Sequence, residues 1–197
     1  MTEHYFTKSP TSELRIHNIK LNINNKDYEL YTASGLFSLR ELDRASKLLI
    51  NNVTIEDNWK ILDLGCGYGV IGFCLKILHP NIELVMSDIN ERAIMISKKN
   101  FAKYNLKAKI VQSDCFNNIK DKFDSILLNP PQAAGKDICF KMIRESKDHL
   151  KNNGILQIVA RHNKGGKTLS VYMKEIFGNV NESKKHAGIR VYISINN

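Results

Sequence analysis

Cysteine is scarce in this sequence, with 4 residues among 197. Cys66, Cys74, Cys115 and Cys139 form no C-x-x-C pair, and no histidine stands at zinc-ligand spacing from them. Neither a disulfide framework nor a metal site is therefore supported. We expect the four cysteines to be reduced side chains packed in the interior, and we expect no bound metal.

Long apolar runs are also missing. No stretch approaches the roughly 18 apolar residues of a membrane-spanning helix. Residues 1–10 are polar and mixed, without the basic start and apolar run of an export signal. These absences predict a cytoplasmic protein with no membrane partner. A chain of 197 residues can bury a sizeable core, and this length argues for one domain, with or without an extension, rather than two.

The chain does carry an uneven positive charge. Its formal net charge is +9. Residues 1–150 hold 21 Lys/Arg against 18 Asp/Glu, or +3, whereas residues 151–197 hold 8 against 2, or +6. An excess concentrated at one end is the kind of electrostatic footprint that binds nucleic-acid phosphates. The alternative is ordinary surface charge that keeps the protein soluble.

The first 57 residues predict a hairpin and a helix. Apolar and polar residues alternate over 14–23, a turn-rich stretch follows, and residues 28–32 are again strand-like. An amphipathic helix is predicted over 40–50, because its apolar residues recur on one face. Residues 51–58 connect this helix to the rest of the chain, and we place an approximate domain boundary there. Residues 1–57 are then an extension packed on a core of residues 58–197.

The core alternates strand and helix patterns. Strands are predicted at 60–64, 83–87, 108–112, 123–128 and 155–160. Helices are predicted at 69–78, 90–105, 135–153 and from the Gly165-Gly166 turn to Gly178. A final antiparallel hairpin, 180–184 with 189–195, is placed at the sheet edge. This order predicts an α/β, Rossmann-like fold with a seven-stranded, mostly parallel sheet and an antiparallel last strand, whose ligands bind at the carboxyl ends of the strands.

The most informative motif is the turn after the first core strand, in which Gly65, Gly67 and Gly69 alternate with other residues. Three glycines let the backbone turn tightly and leave room for a ligand against it. Asp63 stands two residues before the first glycine, where a loop built for pyrophosphate would not normally place a carboxylate. The turn therefore indicates a ligand that carries positive charge.

Polar side chains also follow the next three core strands. They are Asp88, Asp114 and Asn129, the last of which begins the sequence Asn129-Pro130-Pro131. Two prolines prevent that strand from continuing. Each polar residue alone could be a helix cap or a turn former. Because the carboxyl ends of parallel strands meet at one edge of a sheet, the set together indicates a single ligand site.

These residues are similar to the motifs of class I S-adenosylmethionine-dependent methyltransferases. That superfamily has an acid before a Gly-x-Gly-x-Gly turn, an acid ending the second strand, Ser-Asp after the third and Asn-Pro-Pro after the fourth. Within it, the chain resembles the small single-domain relatives of the RsmC family of ribosomal RNA guanine-N2 methyltransferases. Residues 4–6, residues 32–38 and the carboxyl-terminal hairpin match as well, so the resemblance covers nearly the whole chain.

The resemblance implies that the core binds S-adenosylmethionine as its cofactor. Asp63 would face the cationic amino end of the methionine moiety, directly or through water, and Asp88 would accept both ribose hydroxyls. Asp114 would accept a hydrogen bond from the adenine amino group. The other implied cofactor-binding positions are Phe37, Gly65, Gly67, Gly69, Ile89, Cys115 and Asn129.

The implied catalytic residues are Asn129 and Pro130. An exocyclic amino group on a nucleobase is a poor nucleophile, because its lone pair is delocalised into the ring. The Asn129 side-chain oxygen and the Pro130 carbonyl could hold both amino hydrogens and aim the lone pair at the methyl carbon. Positioning of this kind can lower a barrier by up to roughly 7–11 kcal/mol. The expected acceptor is guanine N2 in ribosomal RNA.

One position departs from the family pattern. Relatives that act on nucleobases or glutamine have an aromatic residue after Asn-Pro-Pro to stack on the target, and here Gln132 occupies that place. Stacking would then come from Phe37 or Phe6. The RNA partner would dock on the basic face of the chain. The substrate-binding positions that we expect are Pro131, Gln132, Arg161, Lys164 and Lys185. The oligomeric state is left open.

Three other interpretations remain. Gly67-x-Gly69-x-x-Gly72 also fits a dinucleotide-binding fingerprint, although a lone match of this kind is weak. Asn-Pro-Pro occurs in methyltransferases that modify a release-factor glutamine, whose amide the same two acceptors would orient. The third interpretation is an RNA-binding module that keeps the fold without catalysis.

Overall fold

A computed structural model of the chain describes residues 7–197. The resemblance at residues 4–6 and the proposed stacking by Phe6 lie outside the described residues. Two sheets form the architecture: a two-stranded hairpin and a seven-stranded sheet with helices on both faces.

The amino-terminal part is a hairpin followed by a short helix, as predicted. Strands β1 (Ile16–Ile23) and β2 (Lys26–Ala33) pair antiparallel through a tight turn. Helix α1 (Arg44–Ile50) is shorter than the predicted 40–50. The reason is Asp43, whose Oδ1 accepts hydrogen bonds from Ala45 N and Ser46 N, each at 3.0 Å, and so caps the helix at that point.

Seven strands make the central sheet. They are β3 (Lys60–Leu64), β4 (Glu83–Asp88), β5 (Lys109–Gln112), β6 (Phe123–Leu128), β7 (Leu150–Arg161), β8 (Asn181–His186) and β9 (Ile189–Ile195). Their spatial order is β5-β4-β3-β6-β7-β9-β8. Strands β3 to β7 pair in parallel, and β9 pairs antiparallel with both β7 and β8. The predicted mostly parallel sheet with an antiparallel last strand is therefore confirmed.

Helices cover both faces of this sheet. They are α2 (Val70–Leu78), α3 (Glu91–Lys103), α4 (Lys136–His149) and α5 (Gly166–Phe177). The first two pack with α1 and the hairpin in one hydrophobic core, which receives Ile61 of β3. The last two pack in a second core, which receives Leu62 and Leu64 of the same strand. Alternation along a strand buried on both faces thus divides its side chains between two cores.

The boundary between α4 and β7 differs from the prediction of a helix over 135–153. Helix α4 ends at His149, and β7 begins at once with the buried Leu150. The register between β6 and β7 shifts between Phe123 and Ser125, so residues 151–154 form an irregularity in the ladder. The sequence Asn152-Asn153-Gly154, which was expected to end the predicted helix, therefore marks a strand distortion.

The amino-terminal part and the sheet share one core. Leu49 and Ile50 of α1 belong to the same cluster as Val159 and Val191 of the sheet. Gln157 of β7 also holds the connector, since its amide accepts from Thr54 N at 2.9 Å and donates to Thr54 O at 2.8 Å. The division at residue 57 stays a prediction. In residues 7–197, no helix combines the length and the apolar character that a membrane crossing requires.

Candidate active site

A cavity of about 570 Å³ lies at the carboxyl ends of the parallel strands, between α1 and the loops that follow the strands. This is the edge at which the predicted site residues were expected to meet. The cavity brings together Phe37, Gly65, Gly67, Asp88, Ile89, Asp114, Cys115, Asn129, Pro130, Pro131, Gln132 and Arg161.

Four predicted site residues lie elsewhere. Asp63 and Gly69 are not on the cavity wall but behind the turn. Lys164 lines a smaller neighbouring cleft. Lys185 is exposed on β8 and lines neither space.

The glycine turn is held by backbone hydrogen bonds to the end of β4. Gly65 N and Cys66 N both donate to Ser87 O, at 2.8 and 2.9 Å. Gly67 has a φ of 57°, and a Cβ built there would meet no atom within 4 Å. The turn therefore presents an open backbone surface to the cavity, as a cradle for a ligand requires.

Gly69 serves helix packing and not the cavity. Its φ is 87°, and a Cβ there would stand 2.7 Å from Met86 Cε. Gly72, which the sequence analysis gave no role in the site, is equally tight, with Met86 Sδ 2.7 Å from a built Cβ. Its N–H donates to Asp63 Oδ2 at 3.0 Å. The sequence sign of this role was the spacing Gly69-x-x-Gly72, which here allows α2 to lie close to the sheet.

Asp63 is buried, 1% exposed, and its second oxygen has no hydrogen-bond partner among the described residues. Burial raises the pKa of this carboxyl to about 7, the Gly72 N–H opposes that shift, and the nearby Asp88 charge adds to it. The negative charge of Asp63 is therefore costly in the protein alone, and a cation in the cavity would lower that cost.

Asp88 is fixed on the cavity wall by backbone donors. Its Oδ1 accepts from Asn90 N at 2.9 Å and its Oδ2 accepts from Gly67 N at 2.8 Å. Burial raises its pKa, while the N–H groups of Asn90, Gly67 and Ile89 oppose the shift. A carboxylate has about four lone-pair sites, so these bonds leave acceptor capacity for a ligand.

The next loop places Asp114 and Cys115 at the far end of the cavity. Ser113 Oγ donates to Cys115 O at 2.8 Å and accepts from Asn118 N at 3.0 Å, which closes the turn. Asp114 lies 3.2 Å from Lys141 Nζ. Burial raises the pKa of the Cys115 thiol to about 12, so this cysteine is a packing group and not a nucleophile.

Asn129 is held from α1. Its Nδ2 donates to Ser46 Oγ at 3.0 Å and lies 3.5 Å from Asp43 Oδ1. A carboxylate accepts hydrogen bonds and does not donate them, so the amide must turn its NH₂ group toward α1. The Asn129 oxygen is thereby left for a ligand. Sequence reasoning missed Asp43 and Ser46, because nothing local in the sequence joins them to a residue more than eighty positions away.

Gln132 joins two loops and does not act as a flat surface. Its Nε2 donates to Lys164 O at 2.8 Å, and its Oε1 accepts from Arg161 N at 3.3 Å. The residue after Asn-Pro-Pro thus attaches the β6 loop to the segment after β7.

The loop that carries Phe37 borders the cavity on the side of the hairpin. Asn90 Nδ2 donates to Gly35 O at 3.3 Å, and the Arg92 guanidinium donates to Ser34 O at 2.7 Å. Phe37 is 44% exposed and lines the cavity. In the part of the chain that the structure describes, no group of three or more metal-ligating side chains is found.

The family model of the methyltransferase small domain matches residues 27–193. Protein YbxB of Bacillus subtilis, which is described as uncharacterized, is 36% identical over 95% of this chain and 96% of its own length. Ribosomal RNA small subunit methyltransferase C of Pasteurella multocida is 40% identical over 68% of this chain, and the match spans 42% of that longer protein.

Solved structures agree on the fold. The 16S rRNA N2 G1207 methyltransferase of T. thermophilus, solved with S-adenosylmethionine and guanosine, superposes with a TM-score of 0.81 at 22% identity, covering 95% of this chain and 52% of that one. A methyltransferase from Pyrococcus furiosus superposes with a TM-score of 0.68 at 18% identity, covering 77% of this chain and 81% of that one. The chain belongs to the methyltransferase small domain family and is an S-adenosylmethionine-dependent methyltransferase.

Proposed function

We propose that the protein methylates an exocyclic amino group of a nucleobase, guanine N2 in ribosomal RNA. The observation that carries this proposal is the orientation of Asn129. Ser46 and Asp43 hold its NH₂ group, so its oxygen is left as an acceptor in the cavity that also contains the glycine turn.

The part of the cavity formed by the loops after β3, β4 and β5 fits the cofactor. The open surface at Gly67, the fixed carboxylate of Asp88 and the Asp114-Cys115 turn border one continuous space. Asp88 would accept the ribose hydroxyls and Asp114 the adenine amino group. Asp63 acts through its charge from behind the turn. When bound, S-adenosylmethionine supplies an electrophilic methyl group on a sulfonium centre.

Asn129 and Pro130 orient the acceptor. The Asn129 Oδ1 and the Pro130 carbonyl together offer two acceptors for the two hydrogens of one amino group. Pro130 O already accepts from Gln132 N at 2.8 Å, and a carbonyl oxygen keeps a second lone pair for the ligand. Such a pair fixes the direction of the nitrogen lone pair, and orientation is the larger part of what this reaction needs. The nitrogen loses one proton to solvent after the transfer.

An RNA acceptor is supported by charge and by the relatives. The last quarter of the chain carries a net charge of +6 (8 minus 2), and Arg161 brings part of it to the cavity. The longer relatives that match most of this chain are named ribosomal RNA methyltransferases. The target guanine must be unpaired or turned out of its helix, because its amino nitrogen has to enter the cavity.

Labelled S-adenosylmethionine tests this proposal. Protein-free ribosomal RNA, ribosomal subunits and transfer RNA should be offered as acceptors, and labelled nucleosides identified by mass. We expect label in N2-methylguanosine. Label in a protein glutamine, with none in RNA, would show that the protein is a glutamine methyltransferase of the release-factor type. Cofactor binding without transfer to any acceptor would support the non-catalytic module.

A further inference from the structure

A second cleft of about 260 Å³ continues the cavity outward from its Asn129 end. The two spaces share Arg44, Arg161 and Ile189 as wall residues. The cleft is therefore a continuation of the acceptor end. It offers room for the ribose and phosphates of a nucleotide whose base lies beside Asn129.

The cleft is lined by cations and by no acid. Arg44 comes from the start of α1, Arg161 from the end of β7 and Lys164 from the turn that follows. Within residues 7–197, no salt bridge joins any of the three to a carboxylate. Asp43, the acid beside Arg44 in sequence, directs its Oδ1 to the backbone of α1. A group of three cations around a small concavity, none of them in a salt bridge, fits an anion.

Several hydrogen bonds shape the wall of the cleft. Gln132 contacts both ends of the segment from Arg161 to Lys164, through Arg161 N and Lys164 O. His162 N donates to Gly188 O at 2.9 Å and so joins the segment to the β8-β9 turn. A Cβ at Gly165 would stand 3.2 Å from Gln132 Nε2, so glycine keeps the room for this contact. Arg161 and Lys164 therefore lie on a turn that hydrogen bonds hold in place.

Aromatic surface for a base is limited at this end. Among the described residues that line the cavity, the rings are those of Phe37 and Tyr68, and Tyr68 is only 3% exposed. The Gln132 amide is hydrogen-bonded to the neighbouring turn. The cations of the cleft offer contacts to the backbone of the acceptor strand instead.

We propose that this cleft binds a phosphodiester group of the RNA strand next to the methylated nucleotide, through Arg44, Arg161 and Lys164. Gln132 is a positioning residue that holds the turn carrying two of these cations. The proposal rests on the proposed RNA methyltransferase function and adds to it the means by which the strand is held.

Salt-dependent RNA binding tests the cleft. The probe is a fluorescein-labelled, guanine-containing single-stranded RNA of twelve nucleotides, and its anisotropy is measured with the whole protein from 50 to 250 mM KCl. The variant Arg44→Gln/Arg161→Gln is compared with Arg144→Gln/Lys98→Gln, which removes the same charge from exposed positions on α4 and α3. Thermal unfolding of both variants establishes that they are folded.

We expect the cleft variant to lose about tenfold or more in affinity at 100 mM KCl. The slope of log K against log salt should fall by about 0.7, since the cleft holds one phosphodiester group and each phosphate contact contributes about 0.7 for a single strand. The control should change less than about twofold. Equal losses in both variants would mean that the charges act without a site, and the proposal would be wrong.

Gln132→Met supplies a second readout. It keeps the side-chain length and removes both hydrogen bonds. We expect the KM for RNA to rise several-fold with kcat and cofactor affinity unchanged, whereas a change in kcat alone would contradict the positioning role. If the wild-type protein methylates no RNA, the proposed function fails. If it methylates RNA and the cleft variants show unchanged KM, only the cleft assignment fails.

Discussion

The two ends of the cavity are built in different ways. At the cofactor end, backbone N–H groups hold the carboxylates that follow neighbouring strands, as in the contacts of Asp88 with Gly67 and Asn90. At the acceptor end, side chains from α1, β6 and β7 meet, and its cations are exposed. The first end is held largely by backbone groups of neighbouring strand ends, while the second depends on side chains from a helix that packs across the sheet. Substitutions at the two ends should therefore separate cofactor binding from acceptor handling.

The largest expected effect is at the acceptor end. Asn129→Ala removes the oriented oxygen, and kcat should fall by roughly a hundredfold to a thousandfold, as when one positioned polar group of a reacting centre is lost. The Kd for S-adenosylmethionine, measured by calorimetry, should change little. If cofactor binding disappears together with activity, Asn129 holds the cofactor, and the two ends of the cavity do not have separate roles.

The reverse pattern is expected at Asp88. Asp88→Ala removes a charged acceptor, a contribution of about 1.5–3 kcal/mol, and should raise the Kd for S-adenosylmethionine roughly tenfold to a hundredfold. The exposed Asp148→Ala is a matched control, because it removes one carboxylate from the outer face of α4. Calorimetric Kd values for the two variants decide the matter, and equal values would remove Asp88 from the site.

A smaller loss of activity is expected at Ser46, whose hydroxyl accepts a hydrogen bond from Asn129 Nδ2 and so orients the amide. Ser46→Ala removes one neutral hydrogen bond worth about 0.5–1.5 kcal/mol, so kcat should fall by roughly twofold to tenfold. Ser46→Thr keeps the hydroxyl and should restore most of it. Ser170→Ala, which removes a hydroxyl bonded within α5, should leave turnover unchanged. Unequal cofactor affinity between the variants would argue for a structural effect instead.

The smallest expected effect is a pH dependence at the cofactor end. The pKa of Asp63 is about 7 in the folded protein, above its ordinary 3.8. Its protonated form therefore stabilises the fold fully below about pH 4, and that contribution is lost as the pH rises through 7. Between pH 5.5 and 8.5, the Tm of the wild-type protein without cofactor should fall by several degrees relative to Asp63→Asn. Parallel Tm curves for the two proteins would contradict the raised pKa.

Cofactor binding should show the opposite trend. A cationic ligand near the cavity favours the ionised form of Asp63, so affinity for S-adenosylmethionine should rise with pH through 7. The rise should be absent in Asp63→Asn. Calorimetry at pH 6 and pH 8 measures both.

The cofactor end could be predicted because its signals are local in sequence. Asp88 and Asn129 each follow an apolar strand directly, and parallel strands bring such positions to one edge. The same reasoning identified the hairpin and the order of the elements. It missed that Asp63 lies behind the turn, since burial on one side of a strand depends on how α2 packs.

The acceptor end could not be predicted in the same way. Ser46 contacts Asn129 only because α1 packs across the sheet, and no sequence pattern encodes that distance. At Gln132 the sequence indicated only that the usual aromatic residue is missing, whereas the structure shows its amide holding a turn 32 residues further along the chain. The Asn-Asn-Gly stretch before Ile155 was assigned to a helix end, because turn residues mark helix ends and strand distortions alike.

The cap of α1 links local folding to turnover. Asp43 holds the first turn of a helix of 7 residues and also faces the Asn129 amide. Helices this short do not persist without tertiary support. Fraying of α1 would therefore release the side-chain amide of Asn129, while the glycine turn and Asp88 keep their contacts. With the role proposed for Asn129, the free energy that keeps this one short helix wound contributes to the rate of methyl transfer and not only to the stability of the fold.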